Sequence, residues 1–138
     1  MPDGTEQARA YLSEAETTLE SARVLFEHGS GRFAPQIVKN AYDAMEQALS
    51  AGIAYRGEDI PRRHNAKIQR YFEPLDADDL ERTAFRWHAR RSDAQYVDFK
   101  GKDLSVPSSN FDHDDAREII EDTKRTLAFV RGRIEEGD

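Results

Sequence analysis

Apolar residues recur every three or four positions through most of this chain, a period that fits helices and not strands. In the first segment Ala8, Tyr11, Leu12, Ala15, Leu19, Ala22, Leu25 and Phe26 share one helical face. Asp3 and Glu6 have capping-box spacing ahead of it, and His28-Gly29-Ser30-Gly31 reads as a C-cap and turn. A second helix is expected from Ala34-Pro35, since proline suits a first turn. Its stripe is Ile37, Val38, Ala41, Met45, Ala48 and Leu49, with Gly52 a weak point and Gly57 the stop.

Pro61 and Pro74 bracket a short segment, RRHNAKIQRYF, in which Ile68, Tyr71 and Phe72 form one apolar side. Asp76, Asp78 and Asp79 place negative charge at the next N-terminus, where the helix dipole favours it. That helix is expected from about Asp78 to Arg91, with Leu80, Ala84 and Trp87 facing inward. Residues 92–110 break the pattern and read as a long loop. Asp112 and Asp115 then open a last helix with the stripe Ala116, Ile119, Ile120, Thr123, Leu127, Val130 and Ile134, ending at Gly137. The fold class is therefore all-α: a single domain over residues 1–138, an antiparallel up-and-down four-helix bundle with an additional short helix.

Composition narrows the function classes. The 138 residues contain no cysteine, which excludes thiolate catalysis and cysteine-based zinc sites. There is no apolar run near the length of a membrane span, and the start, MPDGTEQARAYL, is polar and acidic. Together these predict a cytoplasmic protein. The net charge of −7 fits plain solubility or adaptation to a halophile's salty cytoplasm. An acidic chain binds nucleic acid only through a local basic patch.

Two such patches exist. Arg82, Arg86 and Arg90 repeat at i, i+4, i+8, a spacing at which like charges repel. Arg62, Arg63, His64, Lys67 and Arg70 form a second island. Each reads either as a solvated face paired with acids elsewhere or as a phosphate-tracking surface. Arg91 falls on the apolar side with Leu80 and Ala84, a costly position unless it meets an anion, a carbonyl or a partner chain. His28, His64, His88 and His113 give no metal-ligand spacing, and no metal or cofactor is expected. Trp87 is most simply a core or interface anchor, and Tyr42 and Met45 most simply core.

The second-helix segment AYDAMEQALSAGIAYRG, the His-led RRHNAKIQRYF, the element RRSDAQY and the final AREIIEDTKRTLAFVRGRI together resemble, in order and spacing, the HEPN domain family. The resemblance implies a helical bundle, usually a homodimer, that binds nucleotide or RNA and often works with a nucleotidyltransferase partner encoded alongside. Many members are metal-independent endoribonucleases of toxin–antitoxin type. Their motif is Arg, four to six residues, then His. This chain departs from it: Tyr96 stands where the family has His after Arg91, and Asp98 where a related motif has Tyr. The resemblance makes Arg91 and Tyr96 the catalytic pair, or a binding or interface element, with Arg90, Asp93, His64 and Arg63 as nucleotide- or RNA-binding residues. Arg82 and His88 satisfy the spacing too but lie inside the fourth helix, a weaker catalytic assignment. The rival reading is a non-catalytic helical module that docks a partner protein.

Overall fold

In a computed structural model, whose described residues are 4–91, 98–100, 103–105 and 110–136, the second helix occupies the centre and the other helices pack around it. The helices are α1 (Gly4–Gly29), α2 (Ala34–Tyr55), α3 (His64–Phe72), α4 (Asp78–Arg91) and α5 (His113–Glu135). α1 and α5 flank α2 along its length, and α3 and α4 cover the rest. Accordingly α2 is buried nearly all round, whereas α1 buries one stripe, Ala8, Leu12, Ala15, Leu19 and Ala22. A buried Thr123 hydroxyl donates to the Ala41 carbonyl at 3.1 Å and ties α5 to α2.

The turns follow local chemistry. After α1 a 3-10 turn, Ser30–Phe33, leads straight into α2, whose first turn carries Pro35. Gly57 has φ of +77°, a left-handed conformation open to glycine, and its N–H closes the helix end on the Ala54 carbonyl. Gly52 is required by close approach: a Cβ there would stand 2.1 Å from Cε1 of Tyr71, so α3 lies almost against the α2 backbone. The Arg56 guanidinium donates to the carbonyls of Arg70 (3.2 Å) and Tyr71, satisfying acceptors that the end of α3 leaves open. α5 begins on a reciprocal capping box. The Asp112 carboxylate accepts from the Asp115 N–H at 2.9 Å, and the Asp115 carboxylate accepts from the Asp112 N–H at 3.1 Å. Asp3, the expected cap of α1, lies outside the described residues.

One expectation needs correction. The segment read as a long loop, residues 92–110, contains a short antiparallel hairpin, β1 (Asp98–Lys100) with β2 (Asp103–Ser105), pairing Phe99 with Leu104. Strands of three residues are too short to leave a readable alternation. No described helix is long and apolar enough to cross a membrane.

Candidate functional site

Packing α3 and α4 against α2 gathers a set of side chains that are scattered in sequence. Tyr42 and Glu46 come from one face of α2, His64 and Lys67 from the first turns of α3, and His88 and Arg91 from the last turn of α4. Glu46 organises them. It is 7% exposed, and its carboxylate accepts from Lys67 Nζ at 2.8 Å and from Nδ1 of His64. Because the acceptor is a carboxylate, Nδ1 carries the proton, which leaves Nε2 of His64 free to exchange one. Burial raises the Glu46 carboxyl, but the Lys67 and His64 hydrogen bonds outweigh it and hold the group below its usual value.

The His64 and His88 rings lie 5.8 Å apart between centroids, and Tyr42 borders both, at 6.4 and 6.2 Å. Burial, then the neighbouring His64, pushes the His88 imidazole below its ordinary value, so it is neutral at pH 7. Burial and the adjacent Glu46 carboxylate push the Tyr42 phenol far upward, which keeps it protonated. The Arg91 guanidinium stands 5.9 Å from the centroid of the Tyr42 ring. Among the described residues Arg91 has no ion-pair partner, and its buried Nε and the buried Nδ1 of His88 have no hydrogen-bond partner. The position flagged in sequence as costly thus holds a cation still short of an acceptor.

Of the residues singled out from sequence, the fold brings together Arg91, His64 and His88. It does not bring Arg82 to His88: six residues along a helix turn the two onto different faces, and Arg82 pairs with Asp79 at 2.8 Å in solvent. Arg90 is occupied by α5. It donates to Asp115 at 3.1 Å and to the Asn110 carbonyl at 3.3 Å, and lies over the rings of Trp87 and Phe111. Arg86 likewise meets Glu118 at 2.6 Å and Asp122 at 3.0 Å. Two members of the α4 arginine row, Arg86 and Arg90, are therefore held in interhelical ion pairs with acids of α5, and the third, Arg82, pairs within α4. Arg63 is exposed at the start of α3, beside exposed Arg62. Asp93 and Tyr96 lie outside the described residues.

Sequence reasoning missed Glu46, which the fold makes the hub. The available signal was an acid one turn after Tyr42, inside the most apolar helix, where an ionised group needs partners. Among the described residues no three His, Asp or Glu side chains converge as a metal site requires.

Comparison with known proteins fits this architecture. The crystal structure of an archaeal HEPN homologue superposes with a TM-score of 0.69 at 21% identity, covering 97% of this chain and 99% of that one, which establishes a shared fold. The chain matches no curated protein sequence. The family model for the HEPN domain matches residues 8–133, a span that takes in all the helices packed around α2 and every described member of the cluster. With the model covering nearly the whole chain and the fold shared with a HEPN homologue, the protein belongs to the HEPN family.

Proposed function

We propose that this HEPN domain binds the phosphate of a nucleotide or RNA at Arg91, Lys67, His64 and His88, and that the site has the parts for metal-independent RNA cleavage. The supporting observation is the gathering of two imidazoles and two cations around Tyr42 and Glu46, with His64 and Lys67 on the buried Glu46 carboxylate and His88 and Arg91 against the Tyr42 ring, in a protein whose overall charge of −7 would repel phosphate. Cleavage of RNA requires a base to take the 2′-hydroxyl proton, an acid to protonate the departing 5′-oxygen, and positive charge on the phosphoryl oxygens. Neutral His88 takes the proton. His64 in its imidazolium form, held at Nδ1 by Glu46, gives one from Nε2 and is left as the neutral Nδ1–H imidazole. Arg91 and Lys67 face the charge that builds on phosphorus. The products are a 2′,3′-cyclic phosphate and a 5′-hydroxyl. In this reading Arg90 is structural, Arg63 extends the basic edge, and Asp93 and Tyr96 follow Arg91 closely enough in sequence to take part.

Family membership further suggests a homodimer that works beside a small nucleotidyltransferase, in a toxin-type ribonuclease pair. The test is incubation of purified protein with mixed RNA in EDTA, beside Arg91→Ala. Cleavage by the wild type alone supports the reading. RNA binding equal in both proteins, without cleavage by either, overturns the assignment of Arg91 and favours a partner-docking module.

A further inference from the structure

Glu46 and Lys67 also border a second feature, lined otherwise by residues to which the phosphate reading gives no role. α2 carries Asp43, Glu46, Gln47 and Ser50 at i, i+3, i+4 and i+7, a polar stripe on a helix that is otherwise largely buried and apolar beyond its first turns. Together with Tyr11 of α1 and Lys67 of α3, these residues line a cavity of about 260 Å³. Polar groups in such a place cost stability unless they are hydrogen-bonded. Ser50 is only 3% exposed, and the buried Oε1 of Gln47 has no hydrogen-bond partner among the described residues. Lys39 touches Asp43 from outside at 3.7 Å, a long contact.

We propose that this cavity is a base-recognition subsite for guanine, joined to the phosphate site through Glu46 and Lys67, which belong to both. The inference rests on the phosphate-site reading above and adds the identity of the base. The cavity is smaller than the usual range for drug-sized ligands, and suits a single flat ring system. Its walls carry acids rather than arginines, so a phosphate is disfavoured and a donor edge is favoured. A carboxylate offers two adjacent acceptors and no donor. Among the four RNA bases, guanine alone presents two adjacent N–H donors, N1–H and the N2 amine, on its pairing edge. Asp43 accepts from that edge, because Glu46 is already taken by His64 and Lys67. The unpartnered Oε1 of Gln47 accepts the second N–H of the N2 amine, and the Tyr11 ring supplies an aromatic wall, the usual means of holding an unstacked RNA base. Adenine puts an acceptor at N1 where the carboxylate needs a donor, and the mismatch is repulsive.

The experiment is equilibrium binding of guanosine, inosine and adenosine 5′-monophosphates to the wild type, Arg91→Ala, Asp43→Asn and Tyr11→Ala, with thermal melts to confirm folding. The expected order is guanosine, then inosine, which lacks the N2 amine, then adenosine, with about tenfold or more between the extremes. Asp43→Asn should collapse that ratio, because an amide can satisfy adenine as well as guanine. Tyr11→Ala should weaken all three together. Equal wild-type affinity for the three, lost in Arg91→Ala, overturns the guanine subsite and leaves the phosphate site standing. Binding of none of them by any protein overturns both. Should Asp43→Asn fail to fold, Gln47→Ala carries the same test, and an undiminished preference for guanosine in that variant overturns the proposal.

Discussion

His64 and His88 reach each other from different helices, their ring centroids 5.8 Å apart, yet only His64 has a carboxylate at its Nδ1. The asymmetry has a consequence for stability. The folded His88 titrates below its unfolded value of 6.5, chiefly because it is buried and secondly because His64 is near. Between the two values the unfolded chain binds more protons than the folded one, so this group makes stability rise with pH across that window. Urea unfolding of the wild type should therefore show stability falling as pH drops below about 6.5. His88→Asn should flatten that slope while leaving the midpoint above pH 7 nearly as it was. An equal slope in both proteins would assign the acid sensitivity to other groups.

Glu46 works in the opposite direction. Its folded carboxyl titrates below the usual 4.5 because Lys67 and His64 outweigh its burial, so its contribution is present above that value and is lost as pH falls through the folded one. Glu46→Ala leaves Lys67 and His64 without their acceptor and should cost about 2–3 kcal/mol at pH 7, as losses of charged, partly buried hydrogen bonds do. Glu46→Gln can still accept one of the two bonds and should cost less. Chemical denaturation separates them, and identical losses would mean that shape rather than charge holds the site.

The helical periods made the bundle legible, down to Asp112 and Asp115 at the start of α5 and the inward stripe of α4, while the reciprocal capping that the two aspartates form came from the structure. Arg91 was legible as a misplaced cation because one residue's angle on a helix needs no knowledge of other helices. Glu46 was not legible as a hub, because its partners lie on a helix whose docking only the fold supplies. The same limit hid the fate of Arg86 and Arg90. Their acids stand on α5, far along the chain, and neighbours in sequence give no sign of them. Tyr42 was legible as core, and is 1% exposed, but its contact with both histidines comes from tertiary packing alone.

Adjacent arginines should therefore give separable phenotypes. Arg90 is 37% exposed and binds Asp115 between the rings of Trp87 and Phe111, so Arg90→Ala should cost about 1 kcal/mol of stability and leave RNA affinity unaltered. Arg91→Ala should lower RNA affinity at least about tenfold, the effect of removing one charged contact to phosphate, with little change in thermal midpoint. Thermal melts and filter binding on both variants check this. A loss of affinity in Arg90→Ala equal to that in Arg91→Ala would extend the site along the α4 row.

Two glycines in helices should respond to alanine with opposite sign. Both have helical backbone in the last turn of their helix, where alanine is intrinsically better by up to about 1 kcal/mol. At Gly132 of α5 a Cβ meets nothing within 4 Å, so Gly132→Ala should collect that gain and raise the melting midpoint. At Gly52 the new Cβ would lie 2.1 Å from Cε1 and 2.6 Å from Cδ1 of Tyr71. That ring is 2% exposed, set edge-on against Phe72 with centroids 5.0 Å apart and covered by the Arg56 guanidinium at 4.7 Å, so it cannot swing aside without dislodging α3. Overpacking of this kind costs about 1–3 kcal/mol, enough to cancel the helical gain and reverse it. Because α3 carries His64 and Lys67, Gly52→Ala should also weaken nucleotide binding, though it touches no site residue. Melts of the two variants beside the wild type decide the matter: a stabilised Gly52→Ala would mean that α3 sits less tightly on α2 than the Tyr71 contact indicates.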